Sequence, residues 1–173
     1  LGDAPSPVGE ELGLEDGTYS VATIHRAENT DDPERLSNIV RELKNLDHPV
    51  VLLAHPRTVA KAAEHGIQLE GGSLHLHDSL PYAGLLASAR RARGIVTDSG
   101  GLQKEAFLLR VPTTTVRPQT EWVETVELGW NVLVEPAGIA EAASRTRPAD
   151  TTVAPYGDGR TAERVITELT RRV

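Results

Sequence analysis

The feature that most constrains the fold of this chain is a regular alternation of short apolar runs, rich in β-branched residues, with segments of helical periodicity. Six runs have the length of single strands, and they cover residues 18–25, 49–55, 73–80, 94–98, 111–117 and 131–136. Apolar strands that alternate with helices are typical of a parallel sheet covered on both faces. We therefore expect an α/β fold, a Rossmann-like parallel sheet with helices on both faces.

Start and stop signals support the predicted helices. In residues 31–46, either Asp31 or Asp32 can serve as the N-cap, Pro33 suits the first turn, and the apolar residues fall on one helical face. Gly66 follows a second helical segment, as a C-terminal glycine commonly does.

The first 17 residues differ from the rest, because they contain two prolines and four glycines without periodicity. We expect residues 1–17 to be a linker from a preceding lobe and residues 18–173 to form one lobe, since 173 residues suit a single core. The sequence contains no methionine, even at residue 1, so we expect it to be part of a longer protein.

Composition excludes several classes of function. The net charge is −7 and the acidic residues are scattered, which argues against a nucleic-acid partner but not against a small anion in a local positive pocket. Without cysteine there are no disulfides, thiolate nucleophiles or cysteine zinc sites. No apolar run approaches the roughly 18 residues of a membrane span and no signal peptide is evident, so we expect a cytoplasmic protein.

An unusual helix start, "TDSGGLQKEA", follows the strand predicted at residues 94–98. Ser99 can cap this helix, and Gly100 and Gly101 expose the first main-chain amides, which suit an anion such as a diphosphate. Glu105 lies almost two turns further on and could accept hydrogen bonds from a ribose diol. The alternative is that the two glycines serve only close packing between helix and sheet. The motif lacks the Gly-Lys-Ser/Thr ending of a Walker A loop.

Two further polar clusters follow predicted strands. His25, Arg26 and Glu28 occur in "TIHRAENTDD", where His and Arg together suit phosphate binding. The alternative is a polar loop in which Glu28 pairs with Arg26. His55 follows a buried strand in "LLAHPRT", where it could be a site residue or a structural one.

Other candidates are weaker. His75 and His77 share one face of a strand, but no third ligand is evident, so we expect no metal site. In residues 115–134, two glutamates could face a ligand and two tryptophans are expected to pack in the core; these are Glu121, Glu124, Trp122 and Trp130.

Six motifs together resemble a known family. "TIHRAEN", "LLAHPRT", "LPY", "TDSGGLQKEA", "RPQTEWVETVELGWNVLV" and "PYGDG" occur in the order found in bacterial and archaeal UDP-N-acetylglucosamine 2-epimerases of the non-hydrolysing type. The resemblance runs from about residue 18 to the end and matches the C-terminal half of those enzymes.

The resemblance implies one lobe of a two-lobed, glycosyltransferase-B-type architecture with the active site in the cleft. Such enzymes interconvert UDP-GlcNAc and UDP-ManNAc by eliminating UDP and adding it back, without metal or nicotinamide. The other lobe supplies carboxylates for proton transfer, and the whole enzyme is expected to be a homodimer serving cell-envelope polysaccharide biosynthesis. By itself, this lobe is expected to bind UDP and to be inactive.

The resemblance also assigns roles to UDP-binding residues. Ser99, Gly100 and Gly101 match the diphosphate-binding turn of the family, and Glu105 matches its ribose-binding glutamate. Tyr82 matches an aromatic position whose backbone meets the uracil.

Three more residues take roles from the family. His25 matches the histidine that assists departure of UDP, and Arg26 and His55 match contacts to a second, activating UDP-GlcNAc. Ala27 stands where many members have another arginine, and Trp122 stands where others have a possible phosphate-facing arginine.

Other functions compatible with these motifs are a hydrolysing 2-epimerase, a donor-binding lobe of a glycosyltransferase and a non-catalytic nucleotide-sugar sensor. The presence of His25 argues against a sensor, product analysis of the full-length enzyme separates the two kinds of epimerase, and the residues upstream of Leu1 would identify a glycosyltransferase.

Overall fold

Six parallel strands form the single sheet of this chain, whose computed structural model describes residues 5–171. The strands run in the order β3-β2-β1-β4-β5-β6, and every neighbouring pair is parallel. The predicted α/β fold is confirmed. The strands are β1 (Ser20–Thr23), β2 (Val50–Leu53), β3 (Leu74–His77), β4 (Gly94–Thr97), β5 (Thr113–Thr115) and β6 (Asn131–Leu133).

Helices connect the strands. In chain order they are α1 (Pro7–Leu12), α2 (Ala27–Thr30), α3 (Pro33–Lys44), α4 (Pro56–Glu64), α5 (Tyr82–Arg91), α6 (Gly100–Leu108), α7 (Val123–Glu127), α8 (Ile139–Ala143) and α9 (Thr161–Arg171), with a 3-10 turn at Pro136–Gly138. No residue of α9 is buried, and no helix within residues 5–171 is long and apolar enough to cross a membrane.

Both faces of the sheet are buried, as the apolar strands predict. Successive residues of a strand point to opposite faces: Val21 packs with Val51 in one core, while Ala22 packs with Leu52 in the other. Helices α3 and α8 cover the second of these faces, and α1 and α5 cover the first.

Helix α3 forms for the reasons visible in its sequence. The Asp32 side chain is the N-cap and accepts hydrogen bonds from the amides of Glu34 and Arg35. Its buried face carries Leu36, Ile39, Val40 and Leu43, so the helix is held by burial of this apolar stripe more than by propensity.

The N-terminal segment differs from the expected linker. Residues 7–12 form α1, Ser6 caps it by accepting from the Gly9 amide, and Val8 is fully buried in the same core as Tyr19. Ser6 Oγ also lies 2.7 Å from the Tyr19 hydroxyl. A helix of six residues is too short to show periodicity, although Ser6 as N-cap, Pro7 in its first turn and Gly13 at its C-cap are signals in the sequence. Residues 1–4 lie outside the described residues.

The strand order places one edge of the sheet in a special position. The connections after β1 and β4 leave neighbouring strands in opposite directions, and in such sheets this reversal opens a crevice at the carboxyl ends of the strands. The loops after β1, β2 and β4 carry most of the polar residues that the sequence analysis selected.

Candidate functional site

A cavity of about 350 Å³ lies at the carboxyl edge of the sheet, and we call it the carboxyl-edge cavity. Its lining includes six of the eight predicted site residues, namely His25, His55, Tyr82, Ser99, Gly101 and Glu105. Of the other two, Gly100 stands between the lining residues Ser99 and Gly101, and an Arg26 guanidinium nitrogen is 3.8 Å from the position of a Cβ atom built on Gly100. The fold therefore gathers segments separated by up to 80 positions.

The start of α6 presents unbonded main-chain donors. Ser99 is its N-cap, and the Ser99 hydroxyl accepts from the Leu102 amide at 3.5 Å. Among residues 5–171, no acceptor is bonded to the amides of Gly100 or Gly101. The positive end of the helix dipole lies at the same place, so the turn favours an anion.

The two glycines are not explained by packing or by backbone conformation. A Cβ atom at Gly101 would meet no heavy atom within 4 Å, and the nearest atom to one at Gly100 is Glu121 Oε2, at 3.5 Å. Neither residue has a positive φ. The alternative of close helix–sheet packing is therefore not supported. A glycine inside a helix costs roughly 1 kcal/mol relative to alanine, and what the two glycines supply in return is main chain that no side chain covers.

Asp98 is a buried carboxylate whose role the sequence did not indicate. It accepts hydrogen bonds from the His25 amide at 3.0 Å, the Arg26 amide at 2.9 Å and the Asn29 side chain at 3.0 Å. Its Oδ1 also lies 3.3 Å from His25 Nδ1. Asp98 thus ties the loop after β1 to the end of β4. The available signal was its place at the end of a strand, directly before the Ser-Gly-Gly turn.

His25 and His55 are stacked. Their ring centroids are 4.8 Å apart, with 26° between the planes. Burial, followed by the charge of neighbouring His25, lowers the pKa of His55, while Asp98 acts in the opposite direction. His55 also caps α4, since its Nδ1 accepts from the Arg57 amide at 3.2 Å. His55 is therefore both part of the cavity lining and a structural residue.

Tyr82, the first residue of α5, contacts Glu105, which lies within α6. The Tyr82 hydroxyl donates to Glu105 Oε1 at 2.9 Å, and this hydrogen bond raises the pKa of Tyr82. Leu80 and Leu85 line the same part of the cavity. A carboxylate acceptor beside apolar side chains suits a ligand that carries both hydroxyl groups and a flat ring.

A buried polar network fixes the α6 turn from behind. The Gln103 side chain donates to the Ser99 carbonyl at 3.2 Å and accepts from Thr120 at 2.6 Å and Asn131 at 3.1 Å. The Trp122 indole donates to the Gly100 carbonyl at 2.6 Å. Trp122 was expected only to pack, so this hydrogen bond is an additional role.

Trp130 packs as predicted. It is 1% exposed and makes an edge-on contact with Phe107. Trp130 does not line the carboxyl-edge cavity.

A buried arginine lies on the other side of the turn. Arg117 is 5% exposed and donates to both carboxylate oxygens of Glu121, at 3.0 and 3.1 Å. Its Nε lies 3.8 Å from Glu28 Oε1. The pKa of Glu121 falls to about 2, chiefly because of the hydrogen bonds from Arg117.

The alternative in which Glu28 pairs with Arg26 is not found: among the described residues no carboxylate lies within 4.0 Å of the Arg26 guanidinium, and Glu28 Oε1 lies 3.8 Å from Arg117 Nε. Neighbours in sequence face different directions here because Arg26 caps α2 and Glu28 lies in its first turn. Glu124 accepts from the Tyr156 hydroxyl at 3.4 Å and does not line the cavity.

The histidines of β3 lie outside this site. His75 is exposed, and His77 Nε2 lies 2.9 Å from Glu11. Within residues 5–171, no group of three or more histidine, aspartate or glutamate side chains could hold a metal ion.

The geometry describes a receptor for an anionic ligand that also carries hydroxyl groups. One side of the site carries the free amides at the start of α6, the Arg26 guanidinium, which forms no ion pair among the described residues, and the rings of His25 and His55. The Tyr82–Glu105 pair lies on the other side. The fold and the site thus define a Rossmann-like lobe with an anion-accepting helix start at its carboxyl edge.

The family follows from comparison with known proteins. The family model described as UDP-N-acetylglucosamine 2-epimerase matches residues 4–170. The chain therefore belongs to the UDP-N-acetylglucosamine 2-epimerase family, which confirms the resemblance seen in its motifs.

Two curated relatives illustrate the range of names in the family. The chain is 46% identical over 134 residues to UDP-2,3-diacetamido-2,3-dideoxy-D-glucuronate 2-epimerase of Pseudomonas aeruginosa, covering 76% of this chain and 36% of the relative. It is 36% identical over 166 residues to a UDP-N-acetylglucosamine 2-epimerase homolog of Methanococcus maripaludis, covering 92% and 46%. The chain spans less than half the length of each of these relatives.

A solved structure supports the same architecture. The UDP-GlcNAc 2-epimerase of Methanocaldococcus jannaschii, determined in complex with UDP-GlcNAc and UDP, superposes with a TM-score of 0.78 at 33% identity. The match covers 92% of this chain and 47% of that enzyme. The six-stranded unit is thus one lobe of the two-lobed, glycosyltransferase-B-type architecture of these epimerases.

Proposed function

We propose that this chain is the UDP-binding lobe of a non-hydrolysing UDP-N-acetylglucosamine 2-epimerase. The whole enzyme would interconvert UDP-GlcNAc and UDP-ManNAc by removing UDP from C1 and a proton from C2, then adding UDP back at C1 while the proton returns to the opposite face of C2. The observation that carries the proposal is the pair of unbonded amides at Gly100 and Gly101, two positions where neither packing nor φ requires glycine.

Each part of UDP has a matching group in the proposed site. The diphosphate binds the amides of Gly100 and Gly101 and the Ser99 hydroxyl, with the Arg26 charge nearby. The Glu105 carboxylate accepts from the ribose hydroxyls, and its bond from the Tyr82 hydroxyl limits its rotation. The uracil lies against the Tyr82 backbone, next to the apolar lining.

His25 is the proposed catalytic residue of this lobe. An imidazole that donates to a phosphoryl oxygen stabilises the charge that develops as UDP departs. The Asp98 carboxylate, 3.3 Å from His25 Nδ1, orients the ring. His55, stacked on the other side of the ring, and Arg26 are positioned for the second, activating nucleotide-sugar that the family resemblance implies.

The lobe alone is expected to bind UDP and to turn over nothing. The carboxylates that would remove and return the C2 proton belong to the preceding lobe in the proposed enzyme, and one wall of the cleft is contributed by that lobe. We expect the complete enzyme to be a homodimer that works in the cytoplasm.

A second candidate concerns the sugar. The 46% identity to the P. aeruginosa enzyme favours UDP-2,3-diacetamido-2,3-dideoxy-D-glucuronate as an alternative substrate. The UDP-binding lobe is common to both, because both ligands share the nucleotide. Incubation of the full-length enzyme with each nucleotide-sugar, followed by product analysis, separates the two candidates, and release of free ManNAc with UDP would instead indicate a hydrolysing enzyme.

The binding site is tested by calorimetric titration of UDP into the wild-type chain and Gly101→Leu. We expect the leucine side chain to fill the diphosphate position and weaken binding by at least about tenfold, which corresponds to about 1.4 kcal/mol. Ala60→Leu adds the same side chain at an exposed position of α4, away from the cavity, and is the matched control. Equal affinities for wild type and Gly101→Leu would refute the proposed diphosphate site.

A further inference from the structure

Three charged side chains converge on one point beside the α6 turn. The position of a Cβ atom on Gly100 is 3.5 Å from Glu121 Oε2, 3.8 Å from an Arg26 guanidinium nitrogen and 3.9 Å from an Arg117 guanidinium nitrogen. A carboxylate is therefore the nearest charged group to this point, which belongs to a residue whose amide is assigned to the diphosphate. Free amides at a helix start attract any carboxylate that can reach them.

Glu121 is well placed to compete for those amides. Its side chain is 60% exposed and lies on the loop before α7, outside regular structure. Its pKa of about 2 keeps it ionised at neutral pH. Among the described residues, the two hydrogen bonds from Arg117 are the side-chain hydrogen bonds that restrain the Glu121 carboxylate.

Arg117 is anchored where Glu121 is not. It follows β5, its amide is bonded to the Thr115 carbonyl at 3.0 Å, and its side chain is 5% exposed. Two parallel hydrogen bonds between a guanidinium and a carboxylate are directional and stronger than a single one. The same guanidinium approaches Glu28, so it offsets two carboxylates near the turn.

We propose that Arg117 is a positioning residue that holds the Glu121 carboxylate away from the amides of Gly100 and Gly101 and so reserves them for the diphosphate. The inference rests on the proposed function, because it concerns the same amides. Without Arg117, Glu121 turns to the helix start and acts as an intramolecular competitor, and its negative charge and that of Glu28 repel the ligand's phosphates.

The test compares UDP with uridine, which lacks phosphate, in titrations of the wild-type chain and two variants. For Arg117→Gln we expect UDP binding to weaken by about tenfold and uridine binding by less than about twofold, since only the charged part of UDP competes with Glu121. In Arg117→Gln/Glu121→Gln the competitor is gone, so UDP affinity returns to within about threefold of wild type. Arg41→Gln, which removes an exposed arginine of α3, is the control.

A purely structural role for Arg117 makes a different prediction. Both variants lose the same two hydrogen bonds, so equal loss of UDP affinity in the single and double variants would overturn the inference. Glu121→Gln alone decides the question if Arg117→Gln does not fold. We expect it to bind UDP as tightly as wild type or more tightly, whereas a tenfold loss would identify Glu121 as a ligand contact and overturn the inference.

The two proposals fail in distinguishable ways. If the wild-type chain binds UDP no more tightly than uridine, the diphosphate site itself is wrong and the inference falls with it. If the wild type prefers UDP but the double variant is not rescued, the diphosphate site remains and only the role of Arg117 is refuted.

Discussion

The two edges of the sheet carry cavities of nearly equal size but of different chemical character. The carboxyl-edge cavity measures about 350 Å³, and a second cavity at the amino ends of β1, β4 and β5, the amino-edge cavity, measures about 340 Å³. The amino-edge cavity is lined by Ser20, Arg93, Arg145 and Arg147, among others. Volume and the presence of polar residues therefore do not distinguish the two.

At the amino edge, three polar side chains form a chain of hydrogen bonds. Ser20 Oγ lies 2.8 Å from His48 Nε2, and His48 Nδ1 lies 2.7 Å from Asp47 Oδ1. The order of these residues is that of a hydrolase triad, but Ser20 is 1% exposed and sits within a regular strand. This linear chain of hydrogen bonds fixes the start of β1 to the loop before β2.

The two terminal nitrogens of Arg145 are also bonded to protein acceptors, whereas its buried Nε has no hydrogen-bond partner among the described residues. One terminal nitrogen donates to the Ala142 carbonyl at 2.6 Å and to Thr114 Oγ1 at 3.1 Å. The other donates to the carbonyls of Thr113 at 2.8 Å and Trp130 at 3.2 Å. Burial lowers the pKa of Arg145, and all four acceptors are neutral protein groups. The carboxyl edge differs because main-chain donors there remain unbonded, and these donors, more than the volume, identify the binding site.

The largest expected effect is at Asp98, which joins the loop after β1 to β4. In Asp98→Ala, the amides of His25 and Arg26 lose their acceptor inside the protein, and the Asn29 side chain loses one of its two acceptors. We expect the free energy of unfolding to fall by about 3 kcal/mol and UDP binding to be lost with it. Chemical denaturation measures the first effect and calorimetry the second.

The isosteric variant Asp98→Asn keeps one carbonyl acceptor and is expected to lose less stability than Asp98→Ala. A loss below about 0.5 kcal/mol in Asp98→Ala would mean that the loop is held by other contacts, and the carboxyl edge would then not depend on Asp98.

An intermediate effect, limited to stability, is expected at the amino edge. Ser20→Ala removes the hydroxyl that bonds to His48, which is 6% exposed, and should cost about 1 kcal/mol of unfolding free energy. UDP affinity should stay within about twofold of wild type, because Ser20 lies at the opposite end of β1 from His25. A clear loss of UDP affinity with unchanged stability would break the distinction between the two edges.

The sequence predicts features that depend on local patterns. Periodicity and capping give α3 with Asp32 as its N-cap, and the apolar runs give all six strands of the sheet. The Ser-Gly-Gly helix start is visible because its chemistry lies within three consecutive residues. The exposed amides of this turn could therefore be predicted from the motif alone.

Features that depend on strand order are not visible in the sequence. The partners of Asp98 lie 69 to 73 residues earlier, and they meet it only because β1 and β4 are neighbours. The sequence offers Arg26, two residues away, as a possible partner of Glu28, whereas the sheet brings Glu28 to within 3.8 Å of Arg117. Helix α1 was missed because a six-residue helix has too few turns to show a periodic pattern.

The smallest expected effect sharpens the comparison through pH. The pKa of His55 in the folded chain is below its ordinary value of 6.5, because of burial and neighbouring His25. The unfolded chain therefore takes up a proton first, so stability falls as the pH drops through about 6.5 and stops falling below the folded pKa. Asp47 at the amino edge has a pKa below 3.8, so its contribution to the free energy of unfolding persists above that pH and is lost only in stronger acid.

Denaturation of wild type and His55→Gln at pH 7.5 and 5.5 should show that the free energy of unfolding falls less in the variant, whereas Asp47→Asn should match wild type over this interval. Identical losses in wild type and His55→Gln would show that the stacked histidines do not carry the acid sensitivity of the carboxyl edge.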